Sequence, residues 1–381
     1  MARLTYLLLY LILAFSCEFA TAQNNFVQKG TGSTEVAAEI QTRVIVSLDS
    51  FLNRIEQQRI DSTDVTGADA KLSLSMFSSI KYRIWGADSN MLETIQPALL
   101  KLYLLQDSVY YCSLAFLSNS QVREILTILI TFNAGRTAFA IPLSYFTRTW
   151  KLKKVGLTTY HYADHINLNT ATLFDRKNRL MAKKLGLGAE RFDFYLCDNY
   201  QDILKLLGFS YDSASAGNID DGYGVDEGTI FSIRHNEDFS HDLFHYYSGK
   251  FRHNKRNSSA DEGVAYSWGN PYYTDKQGAM ITRHLLVAQL RDYLEHHPET
   301  SLLTLFEKNP MIFPSKAKVR SLLSSLTCDE IERRAGAEGI KELLDCGPGD
   351  ENYFRVTGKL TGITAENFNQ EMRELLNKFV Q

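Results

Sequence analysis

The sequence predicts an α+β protein. A small N-terminal domain of helix plus antiparallel sheet is followed by a larger domain with a mostly helical C-terminal part. Three observations predict this. The 381 residues are 44% hydrophobic, enough for a sizeable core and too much for a disordered chain. At roughly 150 residues per domain, the length fits two domains or one large one. The hydrophobic period also changes along the chain, from helical spacing to β-rich runs and back to helical spacing.

The N-terminus reads as a secretory signal, residues 1–22. Arg3 supplies a positive start, 4–15 is an apolar run of about 12 residues, and Ala20-Thr21-Ala22 fits a small-residue cleavage site. The mature chain would begin at Gln23, giving an exported protein, periplasmic or extracellular. An uncleaved anchor and lipidation at Cys17 are the alternatives, but Ala14-Phe15-Ser16 is a poor lipoprotein box. The nearest thing to another span, 122–132, is interrupted by Arg123 and Glu124. No stable membrane span is therefore expected after cleavage.

Residues 23–155 form the first expected domain. In 36–60 apolar residues recur at helical spacing, and 91–105 is a second helix candidate, weakened by Pro97. Four β-rich runs follow at 108–117, 122–132, 137–143 and 149–155, with Asn133-Ala134-Gly135-Arg136 as a hairpin turn. A curved sheet enclosing a cavity, as in the NTF2-like fold, is one arrangement of such parts.

Residues 156–381 form the second. A helix at 171–185 carries Arg176, Lys177, Arg179, Lys183 and Lys184, read as a solvated face. A strand at 192–196, a short helix at 200–207, a loop at 210–223 and a strand at 229–233 come next. Helices are then expected at 238–248, 259–267, 275–295, 318–326, 330–344 and 365–380. No internal repeat is visible.

Charge excludes one class of partner. Lys+Arg number 41 and Asp+Glu 44, a net charge of −3, which is no footprint for nucleic acid. Four cysteines remain after cleavage: Cys112, Cys197, Cys328 and Cys346. No C-x-x-C occurs, so a cysteine zinc site is not expected. Cys328 and Cys346 flank a helical segment and are the expected disulfide of an exported protein. Cys112 and Cys197 read as buried thiols.

The densest group of ligand-type residues is His235, His241, Asp242, His245, His253, Asp261 and Glu262. His241 and His245 stand i, i+4 in a helical stretch, which puts both imidazoles on one face. Two imidazoles so placed can hold one zinc ion if a third ligand is supplied. Glu262, 17 positions after His245, begins another helix and can supply it. Nine histidines in a chain this long would give roughly 0.2 such His pairs by chance; two occur. His161/His165 lacks a carboxylate at metal spacing and reads as structural. Ser259-x-x-Glu262 also fits a capping box, which needs no metal.

The surroundings favour the metal. From about residue 158 onward the chain resembles the gluzincin metallopeptidases, the M1 aminopeptidase-like and peptidase MA-like families, in which H-E-x-x-H is followed by a zinc-binding Glu. The order of helix, strand, Gly-bearing loop, edge strand and motif helix agrees. Asp261-Glu262-Gly263-Val264-Ala265-Tyr266 looks like the family's glutamate helix. So does the ending, with Gly339-Ile340-Lys341-Glu342-Leu343-Leu344, Tyr353-Phe354, Gly362-Ile363-Thr364, Phe368 and Met372-Arg373. The resemblance implies His241, His245 and Glu262 as Zn²⁺ ligands. It implies hydrolysis of a peptide or protein substrate, with Thr229, Ile230 and Phe231 on an edge strand offering backbone hydrogen bonds to it.

The chain departs from that pattern at the general base, where Asp242 stands for the family's Glu. Asp is one methylene shorter, about 1–1.5 Å of reach, and a misplacement of that size can cost about 10²-fold in rate. The 16 residues between His245 and Glu262 also differ from the 18 usual in the aminopeptidase branch. Tyr246, Tyr247, Tyr272 and Tyr273 are candidates to stabilise an oxyanion, and His235 and His253 are alternative ligands. Two main readings result. One is a zinc peptidase, catalysing through Asp242 and impaired by its reach. The other is a catalytically inactive peptidase-fold protein that binds peptides or proteins. A structural exported protein without metal is the third.

Overall fold

The computed structural model describes residues 27–29, 36–85, 95–133, 135–219, 223–271 and 280–379. The expected export signal, Tyr272 and Tyr273 lie outside these residues. The fold is α+β, with two sheets and helices throughout. The chain divides into two compact units: residues 1–148 with 204–218, and residues 149–203 with 219–381.

In the first unit, helices α1 (Ala38–Glu56) and α2 (Ala70–Ile84) each bury one stripe. In α1 the stripe is Val44, Ile45, Leu48, Phe51, Leu52 and Ile55, the 3.6-residue face of an amphipathic helix. The sheet runs β1 (Gln28–Lys29), β2 (Gln96–Gln106), β3 (Val109–Ser118), β4 (Gln121–Asn133) and β5 (Arg136–Ala140). Phe51 stacks on Phe139 of β5 at 3.8 Å and meets Phe77 of α2 edge-on. The helix expected at 91–105 is wrong over its described part, because 96–106 pairs with β3 along most of its length. Pro97 disfavours helix, and Leu99 and Leu102 are buried against a half-exposed opposite face.

The loop expected at 210–223 also needs correction. Within it, β9 (Phe209–Asp212) pairs with β4 in the first sheet. The last β run, expected to close the first domain, instead forms β6 (Lys151–Val155) in the second sheet.

The second sheet has the order β10 (Tyr223–Asp226), β11 (Thr229–Ser232), β8 (Phe192–Leu196), β7 (Thr158–Tyr162), β6. The inner three strands are parallel, and the two outer strands are antiparallel to their neighbours. Helix α4 (Leu168–Leu185) connects β7 to β8, with the short helices α3 (Leu143–Phe146) before it and α5 (Tyr200–Leu206) after it in the chain; Asn167 caps its start and Gly186, with φ 75°, ends it. Phe174 of α4 meets Phe194 of β8 edge-on, and Phe194 meets Phe239 in turn. Each such buried ring contributes about 1.5–3 kcal/mol relative to exposure. Together they seat α6 (Ser240–Phe251), which follows Phe239 directly.

The C-terminal part is helical as expected: α7 (Ser258–Val264), α8 (Arg283–His296), α9 (Leu302–Lys308), α10 (Val319–Leu344), α11 (Asp350–Thr361) and α12 (Phe368–Lys378). The two helices expected at 318–326 and 330–344 are one run, turned at Gly336 (φ 63°). Cys328 and Cys346 form no disulfide; all four described cysteines are free and buried. The Cys328 sulfur packs toward Gly263 of α7, while Cys346 directs its thiol to the Gly347 carbonyl. Among the described residues no helix is long and apolar enough to cross a membrane.

Candidate metal centre

Helix α6 carries His241 and His245 one turn apart, and the spacing does what it predicted. Their Nε2 atoms approach to 3.0 Å. Glu262, from α7, brings Oε2 to 3.7 Å from His241 Nε2 and Oε1 to 3.5 Å from His245 Nε2. Among the described residues this is the one group of three His, Cys, Asp or Glu side chains that converges closely enough to hold a metal ion. Donors about 2.0–2.1 Å from a tetrahedral zinc lie about 3.3 Å from one another, close to the separations seen.

The far nitrogens explain why the near ones point inward. His241 Nδ1 lies 3.1 Å from the Asn270 carbonyl, and His245 Nδ1 lies 2.8 Å from the Asp261 carboxylate. A carbonyl only accepts. Burial alone would raise the Asp261 carboxyl, but the hydrogen bond from His245 and the neighbouring Arg256 outweigh it and hold it at about 2. Both partners therefore accept a hydrogen bond from Nδ1–H, and both Nε2 atoms present lone pairs. Burial, reinforced by the neighbouring His245, lowers His241 to about 4, so its ring is neutral at pH 7. Two imidazole lone pairs and a carboxylate face one point, and a cation is the group that satisfies all three.

Glycines set the close approaches. A Cβ at Gly263 would lie 2.7 Å from Ser324 Cβ and 3.0 Å from Cys328 Sγ, so α7 rests directly on α10. A Cβ at Gly269 would lie 2.9 Å from the His241 backbone N and Cα. Gly269 ends a π-helical turn, Ala265–Gly269, a form found often at functional sites. Asn270 follows at φ 138°, and that unusual backbone turns its carbonyl to His241. Lys177 of α4 fixes the same corner. Its Nζ donates to Asp238 (2.6 Å), Ser240 (3.0 Å) and the Gly269 carbonyl (2.7 Å). Lys177 is thus a structural cation and not part of a solvated face.

The cap reading of Glu262 fails. Asn257 caps α7 by accepting from Ala260 N at 3.1 Å, and Ser259 Oγ instead receives Arg320 Nε. Glu262 needs no capping role to account for its place.

Asp242 sits beside the group. Burial, with the nearby Glu262 and against the pull of His245, pushes its carboxyl up to about 6. Its Oδ2 is buried with no hydrogen-bond partner among the described residues. Glu237 and Asp238 are engaged elsewhere, with Asn167 N and Lys177. Tyr246 bonds Glu190 and Lys250, and Tyr247 bonds Asn178 and the Glu190 backbone. His235 pairs with Asp198 and stacks on His165, His253 is exposed beside Asp345, and His161 pairs with Asp193. None of these is brought to the metal group.

The expected substrate strand is a correction. Thr229, Ile230 and Phe231 lie on β11, paired on one side with β8 and on the other with β10. All three are buried, and their strand is internal. The sheet edge on that side is β10, which lies against α6.

Three features escaped sequence reasoning. Asp261 was legible only as an acid beside Glu262. The Asn270 carbonyl and Lys177 gave no sequence signal, because their roles depend on the π-helical turn and on the packing of α4 against α6. The chain matches no protein-family model and no curated protein.

Proposed function

We propose that this chain is an exported zinc-dependent peptidase of gluzincin type. His241, His245 and Glu262 are the zinc ligands, and Asp242 stands in the position of the general base. The observation that carries the reading is the convergence of two histidine Nε2 atoms and a carboxylate while both Nδ1 atoms are occupied by acceptors. Bound zinc would supply an activated water and a polarised scissile carbonyl. The chain's own residues do the rest. Asp242 accepts the proton of the attacking water and returns it to the leaving amine. Asp261 and the Asn270 carbonyl keep both rings in one tautomer. The β10 edge, not β11, offers the backbone hydrogen bonds that an extended peptide needs.

The shorter Asp242 side chain favours a second reading, a zinc-holding module that binds peptides without cleaving them. Metal content and turnover together separate the readings. Protein purified without chelator should hold about one zinc per chain, lost in His241→Ala and Glu262→Ala. Equal metal in all three proteins would remove the zinc reading altogether. With zinc bound, Asp242→Glu should raise peptide turnover 10-fold or more, a barrier change of about 1.4 kcal/mol. Zinc without turnover in either protein would leave the binding module. Export would be checked by sequencing the mature N-terminus, expected at Gln23.

A further inference from the structure

A cavity of about 380 Å³ in the second unit, lined mainly by residues with polar or charged side chains, takes Glu262 as one of its walls, so it adjoins the candidate metal centre on the Glu262 side. Its charged lining is Arg256, Lys318 and Arg320 against Glu262 and Asp350, an excess of one positive charge before any metal neutralises Glu262. The cations are not equally committed. Arg320 donates to Ser259 at 2.8 Å, pairs with Asp350 and lies over the Phe306 ring. Arg256 donates through Nε to Asp261 (2.6 Å) and through Nη2 to Glu262 (2.7 Å). Its Nη1 has no acceptor among the described residues. The Lys318 ammonium has none there either, although its backbone N–H is fixed by the Tyr266 hydroxyl at 3.3 Å. Tyr266 in turn places its ring 5.6 Å from that of His241, so the base of Lys318 is tied to the wall of the metal centre.

Arg256 keeps its Nη1 edge free of acceptors among the described residues, and Lys318 carries an exposed side chain at the lining of this cavity. Both can therefore turn to an anion, and a planar guanidinium edge or an ammonium suits a carboxylate. An extended peptide advances about 3.3–3.6 Å per residue. A chain seated at the metal centre and running past Glu262 would enter this cavity within one or two residues. We infer that the cavity beside Glu262 is a subsite for a carboxylate of the peptide ligand, read by Lys318 and Arg256. The inference rests on the reading of the centre as a peptide site. It adds that this site prefers an acidic group a short step from the scissile position, from a free C-terminus or from an acidic side chain.

The test is binding, so it does not depend on turnover. The mature, zinc-loaded chain is titrated calorimetrically with three probes: N-acetyl-trialanine with a free C-terminus, the same peptide as its C-terminal amide, and the amide with glutamate as third residue. The free acid should bind at least 10-fold more tightly than the plain amide. The glutamate amide decides the source: tight binding assigns a side-chain carboxylate as well, and weak binding assigns the terminus alone. Lys318→Met should abolish the preference, and Lys318→Arg should keep it. Lys318 is exposed, so neither change threatens the fold. Equal affinity for all three probes, no binding of any of them, or a preference intact in Lys318→Met would overturn the inference. A clear preference without hydrolysis would count against the catalytic reading alone. Hydrolysis without a preference would count against this subsite alone.

Discussion

At the scale of single residues, Asp261 contributes more than its place beside a ligand suggests. Its carboxylate is buried and accepts from His245 Nδ1, Ser248 Oγ and Arg256 Nε. It thus fixes the ring that presents Nε2 to the centre. Outer partners of this kind are worth about 10–100-fold in metal affinity. Asp261→Asn should lower zinc affinity by that factor in a competition titration with a chromophoric chelator, while the far-ultraviolet circular dichroism stays that of the wild type. Unchanged affinity would mean that packing alone orients His245. A second buried carboxyl belongs to the first unit. Glu124 of β4 is 3% exposed, and its Oε1 has no partner among the described residues. Burial, with Asp212 adding and Arg83 opposing, pushes it up to about 8. A carboxyl raised in the fold holds its proton there, so its stabilisation is whole below about pH 4.5 and declines as pH climbs toward 8, by at most about 1.4 kcal/mol per pH unit. Glu124→Gln should therefore protect residues 121–133 from hydrogen exchange more than the wild type does at pH 8.5. The two proteins should be nearly alike at pH 5. Equal protection at both pH values would show that Glu124 is not proton-linked.

At the scale of elements, the centre depends on how closely α7 and the π-helical turn approach their neighbours. Gly263 has no room for a side chain, because the nearest atoms include the Ser324 backbone carbon at 2.9 Å. Backbone cannot rotate aside as a side-chain end can. Gly263→Ala should push α7 off α10 and cost about 1–3 kcal/mol. In a unit of this size that is roughly 2–4 °C of melting temperature per kcal/mol, measured by differential scanning calorimetry. Zinc affinity should fall with it, because Glu262 precedes Gly263 on the same helix. A variant with unchanged melting temperature would show that the α7–α10 contact is looser than it stands. The sheet makes a parallel point. β10 covers β11, so the sheet edge lies one strand farther out than the apolar run at 229–233 suggested.

At the scale of the whole molecule, the three side chains that converge as candidate metal ligands belong to one unit. His241, His245 and Glu262 all fall within 219–381. A ligand that binds only the folded state stabilises by about 2.7 kcal/mol at 100 times its dissociation constant. Zinc should therefore raise the melting transition of the second unit, and a chelator should reverse the gain. Hydrogen exchange should report the change in α6 and α7 and leave β2 to β4 unmoved. Equal protection of both sets by zinc would contradict a centre confined to the second unit.

The α+β class, the helical C-terminal part and the facing pair His241 and His245 were legible in the sequence, because each depends on a period repeated over a few neighbouring residues. Glu262 was legible as a third ligand candidate through its order after the histidines. What lay beyond reach is non-local. Which strand forms the edge depends on β10 pairing outside β11. Asn257 and not Ser259 caps α7, because Arg320, from a helix some sixty residues later, holds the Ser259 hydroxyl. Cys328 and Cys346 are near in sequence, yet one turns to α7 and the other to its own loop. The orientation of both imidazoles rests on Asp261 and on a carbonyl exposed by a π-helical turn. Rise and twist along one helix are fixed by local chemistry, so the sequence determined which side chains share a face. Which atoms stand opposite that face was decided only when separate elements packed, since those contacts join residues that no local period relates.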